Sequence, residues 1–128
     1  MADSRSRHVL VLDDEERVRE LLMDYLSDYD EFELTGAASA EQALEALRSR
    51  PAALCVVDMR LPGLNGAGFI EAAAAEGLCR KFVVHTGSVD FVLPSSLQRL
   101  GMCAADIFYK PANAAKVAER IRQLLRGC

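Results

Sequence analysis

Carboxylate, hydroxyl and ammonium side chains stand at the ends of four short apolar runs of this 128-residue chain. Asp13 and Asp14 follow the first run, Asp58 follows the third, Thr86 the fourth and Lys110 the fifth. Oxygen ligands with room for water suit Mg²⁺, which prefers to share phosphate oxygens. A hydroxyl and an ammonium near such a metal provide contacts for the other phosphoryl oxygens. The combination therefore indicates phosphoryl transfer, in which a carboxylate can be the nucleophile.

Each of these residues also has a purely structural explanation. Asp13 and Asp14 would serve as a helix N-cap, a contribution of about 1 kcal/mol. Asp58 would begin a loop, and Lys110 would precede a turn. A cluster is harder to explain in this way, because two carboxylates about 4 Å apart repel by roughly 4 kcal/mol at an effective dielectric of 20. A shared cation would offset that repulsion.

The side chains can converge only if the preceding runs are parallel strands of one sheet. Apolar runs alternate with longer segments of helical period, as in a parallel sheet with crossover helices. The predicted strands are His8–Leu12, Phe32–Thr35, Leu54–Val57, Phe82–Val84 and Ile107–Tyr109. We predict an α/β, doubly wound, five-stranded parallel sheet in the order 2-1-3-4-5 with helices on both faces, a flavodoxin-like three-layer αβα architecture. Strands one and three are then neighbours, and their carboxylates meet in one crevice.

The intervening segments carry helix signals. The first helix is predicted to bury one stripe, made of Val18, Leu21, Leu22, Tyr25 and Leu26. The second begins at a capping box, Ser39–Gln42. Asn65 is predicted to cap the third helix and Gly77 to end it. Pro94 excludes a regular helix through its own position, so we predict a short fourth helix from about Pro94 to Leu100.

The composition limits the class of protein. With 51% hydrophobic and 27% charged residues, the chain is too apolar for a disordered protein and too mixed for a membrane span. Residues 1–8 do not form a signal peptide, and a net charge of -4 disfavours a general nucleic-acid binder. The four cysteines are too far apart for a zinc site or a disulfide framework. We expect one soluble, cytoplasmic domain over residues 1–128, with its core at about 8–126 and no contact with membrane or nucleic acid.

These motifs together resemble the receiver domain of bacterial two-component response regulators, over essentially the whole chain. The resemblance rests on Asp13-Asp14, on the stretch Asp58-Met-Arg-Leu-Pro-Gly-Leu-Asn-Gly66, on Thr86 and on Lys110-Pro111. It implies that Asp58 accepts a phosphoryl group from a phosphohistidine on a sensor histidine kinase or a phosphotransfer protein. It also implies a signalling domain that catalyses only its own phosphoryl transfer and dephosphorylation, and not an enzyme in the usual sense.

The resemblance assigns a ligand set as well. Asp14 and Asp58 would bind Mg²⁺ directly, Asp13 directly or through water, and the backbone carbonyl of Arg60 would complete the protein ligands. The phosphoryl oxygens would contact Thr86 and Lys110. The loop after the acceptor would be shaped by Leu61-Pro62, with Gly63 and Gly66 giving the backbone its sharp path.

Two features depart from the family pattern. Ile107 stands three positions before Lys110, where the family has an aromatic residue that follows the hydroxyl inward. The segment from Thr86 to Lys110 is slightly longer than expected and contains Pro94. Both lie on the face formed by the fourth helix, fifth strand and fifth helix, through which a homodimer or an effector domain would bind. We therefore expect an atypical fourth helix and a distinct signalling face.

Two other functions remain open. A phosphorylation-independent pseudo-receiver, used only as a docking module, would be expected to have lost part of the acidic cluster or Lys110, and the sequence retains both. A phosphatase of the haloacid dehalogenase type also uses an Asp after a strand, Mg²⁺ and a Lys. It requires a second Asp two positions after the nucleophile, where this chain has Arg60.

Overall fold

The computed structural model describes residues 7–28, 30–61 and 63–126, which form five strands and five helices. The strands are β1 (His8–Leu12), β2 (Glu33–Ala37), β3 (Ala52–Val57), β4 (Cys79–Thr86) and β5 (Ile107–Tyr109). The helices are α1 (Glu16–Ser27), α2 (Ala40–Ser49), α3 (Gly66–Ala75), α4 (Ser95–Gln98) and α5 (Ala114–Arg126), and a short 3-10 helix covers Ala104–Asp106. The predicted loop residue Pro62, the chain end at Cys128 and residues 1–6 lie outside the described ranges.

The strands form one parallel sheet in the order β2-β1-β3-β4-β5, as predicted. In the register of this sheet, Leu12 lies opposite Val57. Because both strands run in the same direction, the next residues along each chain segment, Asp13 and Asp58, lie side by side beyond the carboxyl edge. The Asp58 backbone N–H donates to the Leu12 carbonyl oxygen at 3.0 Å and continues the ladder one residue beyond β3.

Alternate strand residues enter two cores, one on each face of the sheet. In β1, for example, Leu10 and Leu12 belong to one core, and Val9 and Val11 belong to the other. The first core is closed mainly by α2, α3 and α4, and the second by α1 and α5. Both faces of the central strands are therefore buried, which explains their uninterrupted apolar runs.

The predicted helix boundaries hold where polar side chains cap the backbone. The Ser39 hydroxyl accepts the Gln42 N–H at 3.1 Å, and Asn65 Oδ1 accepts the Gly68 N–H at 2.9 Å. The Gln42 side chain accepts from Ala38 N–H and not from Ser39, so the capping box reaches one residue further back than predicted. After α3, Gly77 has φ +69°, the left-handed conformation that ends a helix.

Other boundaries differ from the predictions. The second strand is Glu33–Ala37 and not Phe32–Thr35, because its pairing with β1 extends to Ala37. Strands β3 and β4 start before their apolar runs, since Ala52 already pairs with Cys79.

Leu21 does not belong to the buried stripe of α1. Leu22 and Leu26 face the sheet, whereas Leu21 is 61% exposed. Successive residues of a helix point about 100° apart, so the residue beside a buried position can face solvent.

The fourth helix is a single turn, shorter than the predicted Pro94–Leu100. Pro94 precedes the helix in an extended conformation, and its carbonyl oxygen accepts the N–H groups of Leu97 and Gln98 at 3.0 and 3.1 Å. Leu97 is fully buried and anchors the turn. The expected atypical fourth helix is therefore present.

In the described ranges no helix has the length and apolar character required to cross a bilayer.

Candidate functional site

Three carboxylates converge beyond the carboxyl edge of β1 and β3. One oxygen from each of Asp13, Asp14 and Asp58 lies within 4.8 Å of the others. Asp13 and Asp58 are buried, whereas Asp14 faces solvent. The order of the strands thus brings together the three acidic residues that the sequence singled out. These residues and Lys110 are called the acidic crevice below.

Lys110 projects into the acidic crevice from the end of β5. Its Nζ lies 2.8 Å from Asp13 Oδ2 and 3.2 Å from Asp58 Oδ2. A third carboxylate oxygen, Glu15 Oε1, also lies 3.2 Å from Nζ. The Lys110 backbone N–H donates to the Thr86 carbonyl oxygen at 2.8 Å, which fixes the start of the side chain at the sheet edge.

The same local hydrogen bond recurs after three strands. Asp13 Oδ1 accepts the Glu15 N–H at 2.9 Å, and Asp58 Oδ1 accepts the Arg60 N–H at 3.0 Å. Thr86 Oγ1 likewise accepts the Ser88 N–H at 3.2 Å. A side chain that bonds the backbone two residues ahead is held in one orientation. In both aspartates this leaves Oδ2 as the oxygen that meets Lys110.

Two glycines shape the loop after Asp58. Gly63 has φ +74°, which side chains rarely permit. A Cβ atom at Gly66 would lie only 2.5 Å from the Asp58 carbonyl oxygen. The Asp58–Gly66 motif therefore provides a sharp turn and a close approach of α3 to the backbone of Asp58.

Burial and the neighbouring charges have opposite effects on the pKa of Asp58 and on that of Lys110. Burial raises the pKa of Asp58, and the Arg60 N–H and the Lys110 charge only partly oppose this effect. Burial also disfavours the ammonium of Lys110, but its hydrogen bond to Asp13 and the charges of Asp13 and Asp58 outweigh that penalty and raise the pKa of Lys110. Lys110 is therefore a permanent cation at neutral pH.

The donor set suits a hard divalent cation. All three converging ligands are carboxylates, one of them exposed, so a bound ion would keep water or a phosphate oxygen in its coordination shell. The backbone of Arg60 lies beside Asp58 through its N–H, and the Arg60 side chain is exposed. The residues present thus fit Mg²⁺, while the ligand role expected for the Arg60 carbonyl stays a prediction.

Two residues at the site were missed by the sequence reasoning. Glu15 contacts Lys110, and the buried His85 lines the same cavity as Lys110 and Glu15. Burial and the Lys110 charge lower the pKa of His85, so its ring is neutral near pH 7. For Glu15, the acidic run Asp13-Asp14-Glu15 was an available signal, but nothing in it distinguishes a partner of Lys110 from a helix-start carboxylate.

Hydrogen bonds also link Thr86 to the residues before α4. Ser88, whose N–H bonds Thr86, accepts the Phe91 N–H at 3.1 Å. The Phe91 carbonyl oxygen in turn accepts the Tyr109 hydroxyl at 3.1 Å. Ile107, at the position of the usual aromatic, packs against the core. The aromatic side chain that reaches this segment is therefore Tyr109, on the same side of β5 as Ile107.

Comparison with known proteins gives one decisive result: the model of the response regulator receiver domain matches residues 9–122. The chain belongs to this family. Among curated relatives of this receiver domain, a probable chemotaxis protein CheY from Rhizobium etli is 29% identical over 115 residues and 88% of each chain. The transcriptional regulatory protein FixJ from Azorhizobium caulinodans is 32% identical over 91% of this chain but only 54% of its own length.

Solved structures support the same conclusion. A response regulator receiver protein from Pseudomonas putida superposes with a TM-score of 0.79 at 27% identity, covering 96% of this chain and 99% of that one. The receiver domain of NtrX from Brucella abortus gives 0.79 at 28% identity, covering 94% and 99%. The molecule is thus a receiver domain of two-component signalling, a family that interacts with kinases and effector domains. The phosphatase alternative has no support, and nothing favours the pseudo-receiver.

Proposed function

We propose that this receiver domain accepts a phosphoryl group on Asp58, with Mg²⁺ held by Asp13, Asp14, Asp58 and the backbone carbonyl of Arg60. One observation carries the proposal: the Lys110 ammonium and two further carboxylates converge on Asp58. A buried ion-pair cluster is weak evidence for a stabilising role, because apolar residues of similar volume often stabilise a fold equally well or better. Its presence therefore supports phosphoryl chemistry over a docking module that works without it.

The transfer is a substitution at phosphorus. An oxygen of Asp58 attacks the phosphorus of a phosphohistidine, the P–O bond forms as the P–N bond breaks, and the imidazole retains the electron pair. Lys110 Nζ, now 3.2 Å from Asp58 Oδ2, is placed to donate to an equatorial phosphoryl oxygen. Bound Mg²⁺ would neutralise charge on the phosphoryl oxygens. The Thr86 hydroxyl, which accepts the Ser88 N–H, would donate its own O–H to a second phosphoryl oxygen.

Catalysis in this proposal is confined to the domain itself. The side chains of the crevice would position one phosphoryl group on Asp58 and later allow water to hydrolyse it. The molecule would therefore act as a signalling switch and not as an enzyme on external substrates. Residues 8–126 would form the core of this single domain. A cytoplasmic location belongs to the proposal, since Cys55, Cys79 and Cys103 are free thiols, which suit a reducing compartment.

The phosphoryl donor would dock beside the crevice. A cavity of about 540 Å³ there has a mainly apolar wall that includes Leu21, Pro111 and Ala112, with Lys110 and Glu15 at its edge. The 61% exposure of Leu21 is explained if a sensor kinase or phosphotransfer protein covers it. Its phosphohistidine would then reach Asp58 from the solvent side.

The output contact would use the face formed by α4, β5 and α5. Val89 and Val92 are 75% and 80% exposed there, and a groove of about 620 Å³ is lined by Phe91, Met102 and Tyr109 among others. An effector domain or a second copy would bind this face. The chain spans 54% of the length of FixJ.

Labelling with acetyl phosphate tests the function. The wild type should form a phosphorylated species, because an oxygen of Asp58 displaces acetate as the P–O bond of the donor breaks. This reaction should require Mg²⁺, which would neutralise charge on the phosphoryl oxygens. Asp58→Asn should reduce the labelling at least a hundredfold, whereas Asp24→Asn, an exposed carboxylate on α1, should not alter it. Labelling that survives in Asp58→Asn, or that proceeds equally in EDTA, would overturn the proposal.

A further inference from the structure

Glu15 is the third carboxylate on Lys110 and has no part in the proposed ligand set. Among the described residues, the carboxylates within 4.0 Å of Lys110 Nζ are those of Asp13, Glu15 and Asp58. Nζ donates hydrogen bonds to Glu15 Oε1 and Asp58 Oδ2, and it forms an ion pair with Asp13 Oδ2 at 2.8 Å, so each of its three N–H donors has a carboxylate within reach. A phosphoryl group on Asp58 would take over the donor that now meets Asp58 Oδ2, and any second bond from Lys110 would have to replace Glu15 or Asp13.

The three partners differ in how firmly they are held. The side chains of Asp13 and Asp58 are 3% and 4% exposed, and each has its Oδ1 fixed by a backbone N–H. The side chain of Glu15 is 61% exposed. Glu15 is also the N-cap residue of α1, yet its carboxylate makes no cap hydrogen bond and reaches towards Lys110 instead. Glu15 is thus the partner that solvent can most easily replace.

We propose that Glu15 is a positioning residue that restrains phosphorylation by occupying one N–H donor of Lys110. This inference rests on the proposed function of Asp58. Two effects act in the same direction. Glu15 competes with the phosphoryl oxygens for the Lys110 donors, and its negative charge repels an anionic phosphoryl group that binds to the same ammonium. Glu15 therefore sets how readily the crevice accepts the group without touching it.

The expected size of the effect is modest. An ion pair with an exposed partner is weak, because water screens the charges. If that ion pair is lost when Lys110 turns to the phosphoryl group, removal of the Glu15 charge should accelerate phosphorylation about two- to fivefold, which corresponds to about 0.4–1 kcal/mol. Asp13 still holds Lys110 at 2.8 Å in such a variant, so the ammonium stays in the crevice.

The test compares Glu15→Gln with Glu16→Gln. Both variants remove one exposed carboxylate from the start of α1, but only Glu15 contacts Lys110. Initial rates of labelling by acetyl phosphate are measured at saturating Mg²⁺. Glu15→Gln should be two- to fivefold faster than wild type, and Glu16→Gln should stay within about 1.5-fold. Equal rates in the two variants, or a slower rate in Glu15→Gln, would contradict the proposal.

A binding measurement separates the role of Glu15 from the chemistry. Beryllium trifluoride imitates a phosphoryl group and needs no donor bond to break. Its half-saturating concentration should fall two- to fivefold in Glu15→Gln and not in Glu16→Gln. If wild type is labelled but the two variants bind the analogue equally, Glu15 has no such role while Asp58 keeps its own. A wild type that is not labelled would instead contradict the proposed function.

Discussion

The acidic crevice and the segment from Ser88 to Leu100 meet at Thr86, but they are held in different ways. In the crevice, the buried carboxylates of Asp13 and Asp58 bond the partly buried ammonium of Lys110 and their own backbone. In the segment, one helical turn is anchored by Leu97, and valine side chains are open to solvent. Because the crevice is held by bonds between polar groups and the segment mainly by one apolar side chain, we expect substitutions in the crevice to have the larger effects.

The largest expected effect concerns the packing behind the crevice. In Gly66→Ala the new Cβ would meet the Asp58 carbonyl oxygen at 2.5 Å, and a backbone atom cannot move aside cheaply. We expect a loss of about 2–4 kcal/mol in the free energy of unfolding, measured in urea.

Gly68→Ala is the matched control in the same turn of α3. Its Cβ would meet the end of the flexible Leu64 side chain, so the change should stay within about 1 kcal/mol. Equal losses in the two variants would mean that the backbone of the acceptor strand is not tightly constrained.

A smaller effect is expected from the charge of Asp58. Because burial raises the pKa of this carboxyl, the folded state disfavours its charged form. Asp58→Asn should therefore be more stable than wild type at pH 7 in EDTA, by about 1 kcal/mol in urea unfolding.

The difference in the free energy of unfolding between Asp58→Asn and wild type should depend on pH. Well below about pH 4, the ordinary pKa of an unfolded Asp, the carboxyl is protonated in both the folded and the unfolded chain, so the two proteins should converge. The advantage of Asp58→Asn should grow as the pH rises above that value and should level off above the raised pKa of Asp58. Asp24→Asn should show no such trend. A wild type that gains stability over Asp58→Asn with rising pH would contradict the assignment.

The smallest effect is expected at the output face. Tyr109→Phe removes the hydrogen bond to the Phe91 carbonyl, at a cost of about 0.5–1 kcal/mol. Hydrogen exchange of amides 88–93 should accelerate, while labelling of Asp58 should stay within about twofold. Val92→Ala, at an exposed position, is the control and should change neither. A tenfold change in labelling by Tyr109→Phe would show that the two regions are not separable.

The sequence was sufficient for the strand order and for the residues of the crevice. Continuous apolar runs ending in Asp13, Asp58 and Lys110 reflect strands buried on both faces, and the carboxyl ends of parallel strands share one edge. The prediction was less accurate where boundaries depend on pairing, as at Ala37 and Ala52, since hydrogen bonds continue beyond the apolar residues.

Contacts through long polar side chains were not predictable either. The contact between Glu15 and Lys110 joins residues that are 95 positions apart in the sequence. It depends on side-chain conformation, about which hydrophobic periodicity carries no information. The length of α4 was only partly predictable. Pro94 indicated where a helix could begin, but its early end at Gln98 reflects the burial of Leu97 and the turn that follows.

The backbone hydrogen bonds of Asp13 and Asp58 have a thermodynamic consequence for ligand binding. Both carboxylates have already lost their rotational freedom during folding, because one oxygen of each is fixed to an amide two residues ahead. Binding of a cation in the crevice would therefore cost little side-chain conformational entropy and would bury little apolar surface. Its binding would have a heat-capacity change near zero, and its exchange would be controlled by the loss of water from the ion and not by motion of the protein.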